Sequence, residues 1–141
     1  MATDPSDLPA PAVEFMSERH LATLTTLRRD GSPHVVPVGF TWDPERCLAR
    51  VIASRGSAKV VQARAGRRAA LSQVEGRRWI TLDGTTRVLE DEASVRDAEE
   101  RYAVRYRQPR PNPERVVVVL DVDRVLGGSW PHPVPPSPYA R

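Results

Sequence analysis

The run Ser54-Arg55-Gly56-Ser57-Ala58-Lys59 has the residue types and spacing of an anion cradle. It joins a predicted strand over residues 48–53 to a predicted helix over 57–65, whose N-cap is Ser57. Backbone N–H groups at a helix start are short of partners and attract negative charge. Two hydroxyls, a glycine that lets the backbone approach closely, and the cations of Arg55 and Lys59 suit a phosphate. The spacing is not that of a Walker loop, which needs two glycines separated by four residues, the second followed by Lys. The same residues also fit an ordinary helix cap with solvated basic side chains, and the local pattern leaves both readings open.

Other chemistry-bearing residues are dispersed. His20, His34 and His132 have no second ligand at metal spacing, so no metal site is expected. A Gly-x-Ser-x-Gly elbow is absent. Cys47 reads as a small half-buried side chain, and as the sole cysteine it excludes an internal disulfide framework. No catalytic side chain is assigned. The stretch 101–110 mixes tyrosines with Arg101, Arg105, Arg107 and Arg110. It could stack on and neutralise a planar anion or single-stranded nucleic acid. It also fits an amphipathic helix whose tyrosines pack on a sheet and whose arginines are solvated.

The elements that must position these residues are mostly strands. Strands are predicted over 21–27, 34–41, 48–53, 69–74, 79–89 and 115–122, with turns at Asp30-Gly31, Asp43-Pro44 and Glu75-Gly76. Asp83-Gly84 predicts a bulge within the fifth. Four consecutive valines at 116–119 predict a sixth strand buried on both faces. Helical signals cover 57–65 and 94–107, with a short turn at 13–17; in the long one, Val95, Ala98, Tyr102 and Tyr106 share a face. Six short strands and two or three helices predict a mainly-β fold, a small antiparallel barrel. Proline placement predicts a flexible N-terminal arm over 1–12, one domain over 13–127 and a proline-rich tail over 128–141.

Composition narrows the class. The 141 residues carry 21 basic and 18 acidic side chains, interleaved rather than gathered on one stretch, so a nucleic-acid partner is not expected. No apolar run reaches the ~20 residues of a membrane span, and the start lacks the layout of a secretory signal; the expected compartment is the cytoplasm. Twenty of the 21 basic residues are arginine, which makes the single lysine, Lys59, conspicuous.

The segments 21–38, 50–59, 71–88 and 98–126 together resemble the pyridoxamine-phosphate-oxidase-like split β-barrel family, in its FMN-binding split-barrel fold. The phrases Ser17-Glu18-Arg19-His20-Leu21-Ala22, Ser32-Pro33-His34-Val35-Val36 and Pro109-Arg110-Pro111-Asn112-Pro113 are most similar to its branch that uses the deazaflavin coenzyme F420. The resemblance implies a six-stranded split barrel acting as a homodimer, with cofactor at the subunit interface. It implies phosphate contacts from Ser54, Ser57 and Lys59, assisted by Arg55, and a ring lying along Val36, Pro37 and Val38. Gln73 and Trp79 would line the interface site. Gln62 stands where relatives often carry Asn. The implied activity is hydride transfer from reduced F420 to an organic acceptor, with biliverdin or a similar conjugated molecule expected, its carboxylates pairing with Arg29, Arg107 or Arg110. The alternatives are an FMN-binding oxidoreductase and a non-catalytic F420-binding protein.

Overall fold

The computed structural model describes residues 3–127. Seven strands make one antiparallel sheet: β1 Ala22–Leu27, β2 Pro33–Val38, β3 Thr41–Asp43, β4 Leu48–Ser54, β5 Arg68–Glu75, β6 Arg78–Leu89 and β7 Arg115–Gly127. Their order is β2-β1-β5-β6-β7-β4-β3, so the first and last strands of the sheet are neighbours in the chain and do not pair with each other. Three α-helices accompany them, α1 Ala10–Phe15, α2 Ala58–Ala63 and α3 Glu92–Arg105.

The count of seven corrects the expected six. The stretch 34–41 is two strands, because the backbone leaves the ladder at Gly39 and Phe40. Phe40 N–H donates to Tyr106 Oη at 3.2 Å, and the Phe40 carbonyl accepts from Arg105 Nη1. At Gly39 a Cβ would stand 3.0 Å from the Tyr106 ring and 3.1 Å from that of Tyr102, so glycine is the residue that lets α3 close over this corner.

Other strands follow the sequence closely. Gly31 and Gly76 take positive φ in the predicted turns. The bulge falls at Asp83/Gly84, where the β6–β7 register shifts. The valine run is buried on both sides: Val116 and Val118 join the main core, while Val117 and Val119 join a smaller cluster with Ala98 of α3. α3 starts two residues before its predicted start because Asp91, rather than Ser94, caps it; Asp91 Oδ2 accepts from Ser94 N–H at 3.0 Å.

The N-terminal segment is not a loose arm. Thr3 pairs with Val125 through reciprocal backbone hydrogen bonds of 2.7 and 3.0 Å. Pro5 and Pro11 sit in first helical turns, where a missing N–H costs nothing; prolines there start a 3₁₀ turn (Pro5–Asp7) and α1 instead of keeping the chain extended. The predicted tail, 128–141, lies outside the described residues. No helix among the described residues is long and apolar enough to cross a membrane.

A buried guanidinium fastens the helices to the sheet. Arg105, at the end of α3, is 8% exposed. It donates to the carbonyls of Glu18 (2.8 Å), Phe40 (2.5 Å) and His20 (3.4 Å) and to Gln73 Oε1 (2.5 Å). It also lies over the Phe40 ring, 4.6 Å from its centroid. Burial pulls its pKa down, and burial pushes that of the adjacent Tyr106 phenol up. Tyr106 Oη donates to the His20 carbonyl at 2.6 Å.

Candidate functional site

The C-terminal ends of β2 and β4, the start of α2, α3 and the loop before β7 enclose a cleft of about 390 Å³. Pro37, Val38 and Gly39 form one wall, and Ile52, Ala53 and Ser54 another. Lys59, Arg107, Arg110 and Arg115 supply four positive charges, and no carboxylate among the described residues lines the cleft. Arg115 is partly committed, bonded to Glu99 at 2.5 Å and to the Arg110 carbonyl at 2.8 Å. Lys59, Arg107 and Arg110 have no ion pair among the described residues. The cleft therefore combines a surplus of positive charge with an apolar strip of strand, which suits an anionic ligand carrying a flat apolar body.

The phosphate-type step is built from local geometry. β4 ends at Ser54, and Ser57 N–H donates to the Ser54 carbonyl at 3.0 Å, closing the turn into α2. Ser57 holds the N-cap position of α2, but its hydroxyl makes no capping bond. Its Oγ is buried and has no hydrogen-bond partner, a cost that a bound oxyanion would relieve. Ser54 Oγ accepts from Asn112 Nδ2 at 2.9 Å. These groups fit a phosphorylated cofactor: an orphaned hydroxyl, a hydroxyl fixed by an amide and a lysine with no acid beside it.

Six of the residues singled out in the sequence meet here: Pro37, Val38, Ser54, Lys59, Arg107 and Arg110. Ser57 adjoins them through the turn. Val36 turns its side chain toward the core. Arg55 points away, held by Glu90 (3.2 Å) and Glu114 (2.6 Å), whose charges raise its pKa; it does not line the cleft. Gln62 Oε1 accepts from Thr26 Oγ1 of β1, and Gln62 is not among the residues lining the cleft.

Gln73 is 1% exposed, its amide shared between the Phe15 carbonyl and Arg105, so it belongs to the interior of its own chain rather than to a surface site. Alternation along β5 places it on the core side. Arg29 lies in the β1–β2 turn, separated from Pro37 by the length of β2, about 13 Å at ~3.3 Å per residue. It does not share the cleft within one chain. Trp79 stands 38% exposed beside Val74 at the β5–β6 hairpin, on the outer face of the sheet.

Sequence reasoning left one contributor undecided between stacking and packing, Tyr102, and gave no role to two others. Tyr102 lines the cleft, with its ring 4.9 Å from that of Tyr106 and close over Gly39. Asn112 lies within the phrase 109–113 that carries the resemblance, but no role was given to it. Arg115 sits at the start of β7, where it reads as a strand residue. For Asn112 the local signal is a turn-forming amide, whose Oδ1 accepts from Glu114 N–H at 2.9 Å.

The seven-stranded antiparallel sheet with its accompanying helices is an architecture shared with solved proteins. A solved conserved hypothetical protein of Mycobacterium tuberculosis, Rv2991, shares the fold with a TM-score of 0.74 at 18% identity, covering 93% of this chain and 94% of that one. A structure titled F420 Reductase does so with a TM-score of 0.67 at 21% identity, covering 84% and 98%. The family model for pyridoxamine 5'-phosphate oxidase matches residues 8–127, and the chain belongs to that family. It is 58% identical over 118 residues to the F420H2-dependent biliverdin reductase of Mycobacterium tuberculosis (strain CDC 1551 / Oshkosh), covering 84% of this chain and 86% of the relative.

Proposed function

We propose that the protein is a reductase that works with coenzyme F420, reducing biliverdin or a similarly conjugated, carboxylate-bearing acceptor. The charge surplus of the cleft carries the cofactor class, and the orphaned Ser57 hydroxyl in the adjoining turn supports it. The 58% identity to a relative that acts with F420H2 on biliverdin supports the particular cofactor and acceptor.

In this reading Ser54, Ser57 and Lys59 bind the cofactor phosphate, and the backbone of Pro37, Val38 and Gly39 flanks its ring. When bound, reduced F420 supplies a hydride. The chain's own work is to hold the acceptor against the ring and to exclude water. Arg107 and Arg110, whose charges are uncompensated, pair with the acceptor's carboxylates.

The working unit in this proposal is a homodimer. The outward face of β2-β1-β5-β6 is apolar or neutral from Val35 and Pro37 through Thr23, Ser72 and Val74 to Trp79. Val35 and Val74 are more than half exposed on it, a patch that a second copy would cover. Pro37 lies both on this face and in the cleft, so a partner docked there would help to wall the cofactor site.

Titration of the purified protein into F420, followed by fluorescence with FMN as a parallel ligand, tests the reading, with biliverdin turnover measured next. Micromolar F420 binding with turnover is expected. Preference for FMN would move the protein to a flavin chemistry. Tight F420 binding without reduction of biliverdin or related acceptors would leave a cofactor-binding protein and refute the enzyme.

A further inference from the structure

Asn112 and Ser54 both line the charged cleft, and the hydrogen bond between them has a fixed direction. Sheet pairing brings the two segments together: Ser54, at the end of β4, lies opposite Arg115, at the start of β7. Arg55 N–H donates to the Glu114 carbonyl at 2.8 Å, which ties the loop before β7 to the turn after β4. Pro111 and Pro113 fix φ on both sides of Asn112. Arg115 closes the loop: its N–H donates to the Asn112 carbonyl at 3.1 Å, and its guanidinium donates to the Arg110 carbonyl at 2.8 Å. The backbone therefore presents the Asn112 side chain to Ser54.

An asparagine amide has a donating end and an accepting end, and either can face a hydroxyl. Glu114 decides between them. A backbone N–H only donates, so the end that lies 2.9 Å from Glu114 N–H is Oδ1. Nδ2 is then the end that faces Ser54, and it donates to Oγ at 2.9 Å. The Ser54 hydroxyl accepts there, and its own proton stays free. Oγ makes no other hydrogen bond among the described residues. Ser54 is exposed, and it shares the cleft with Lys59 and Arg110, neither of which can accept a proton from it while charged. An oxyanion only accepts, so a hydroxyl held as a donor between cations suits one.

We propose that Asn112 is a positioning residue of the cleft: by donating to Ser54 Oγ it commits the Ser54 proton to a bound oxyanion. This role rests on the anion-binding reading of the cleft and not on which cofactor brings the anion.

The test is a double-mutant cycle in the full-length, ¹⁵N-labelled chain, with inorganic phosphate as the probe at constant ionic strength. Binding is followed at the Gly56 amide, in the turn after Ser54; its cross-peak is assigned by disappearance in Gly56→Ala, where an added Cβ meets nothing within 4 Å. Asn112→Ala removes the orienting donor. It is expected to weaken phosphate binding about threefold when Ser54 is present and to change nothing further in Ser54→Ala. Asn112→Asp keeps an acceptor for Glu114 N–H but turns the other end into a carboxylate oxygen, which takes the Ser54 proton. Its added charge acts with or without that hydroxyl, so the reversal is read as a difference: the loss should be about tenfold greater with Ser54 than with Ser54→Ala. A loop merely loosened by Asn112→Ala would weaken binding equally in both backgrounds, and that result would overturn the proposal. So would equal losses for Asn112→Asp, or a Gly56 peak that phosphate does not move. F420 is not the probe, so a chain that shows the coupling but does not bind F420 would keep this role and lose the cofactor reading.

Discussion

Lys59 and Arg55 are four residues apart and carry the same charge, yet the structure separates their roles. Lys59 lines the cleft and has no acidic partner among the described residues, whereas Arg55 is held by Glu90 and Glu114 outside it. Replacing either with methionine removes one positive charge, so any general field effect is shared. The difference lies in the contact. A hydrogen bond to a charged group contributes about 1.5–3 kcal/mol, or roughly ten- to a hundredfold in affinity. Lys59→Met should therefore weaken F420 binding by about that factor. Because no ion pair is broken, its melting temperature should match that of the parent. Arg55→Met should change affinity by less than about threefold, since Arg55 is already neutralised and partly solvated. Fluorescence titration at one fixed, low salt concentration reads both constants. Equal weakening by the two variants would refute the contact argument and leave only a diffuse field; an unchanged Lys59→Met would remove the lysine from the site.

Ser57→Ala should leave the melting temperature of the cofactor-free protein unchanged or raise it, because its buried Oγ has no partner to lose, while cofactor affinity falls about three- to tenfold. Arg105→Met should cost about 3 kcal/mol or more in urea unfolding, as it strands three carbonyls and the Gln73 amide oxygen; Arg105→Lys should not rescue it, because an ammonium cannot reproduce the fork. Glu18 is held at a pKa of about 2, first by Arg78, which grips it at 2.9 Å twice, and then by His20. A carboxyl depressed in the fold adds stability above its unfolded value, near 4.5, and loses that contribution as pH falls toward 2. The urea midpoint of the parent should drop more between pH 5 and pH 2.5 than that of Glu18→Gln, by a modest amount because the pair is partly solvated. Gly84→Ala should abolish cooperative folding by circular dichroism, since its Cβ would fall 1.9 Å from the Asp121 carbonyl oxygen across the bulge.

The strands were legible because their pattern is local. Alternation, Asp-Gly and Glu-Gly turns, and a run of four valines each state their own environment, and the structure has each of them. The break at Gly39 was not legible, because its cause is Tyr102 and Tyr106, more than sixty residues away. The same holds for the site. The run 54–59 allows a cradle or an ordinary helix cap, and nothing local tells Arg55, which turns out to its carboxylates, from Lys59, which turns in. The resemblance put Gln73 at the interface site; alternation along β5 turns it inward, where a buried arginine thirty-two residues further along donates to its amide oxygen. The resemblance supplied the family, and the packing decided which matching positions reach the cleft.

The clamp at Arg105 has an uneven exposure to mutation. Most of its acceptors are main-chain carbonyls, at Glu18, His20 and Phe40, which remain in place whatever side chains those positions carry. Substitutions on that side can drift without loosening the grip, so the information that ties α3 to the segment after α1 and to the β2–β3 corner is concentrated in Arg105 and its neighbour Tyr106. Within this protein, variation at Glu18 or His20 should be read as a change in surface charge, and variation at Arg105 as a change in how the helix is docked over the wall of the cleft.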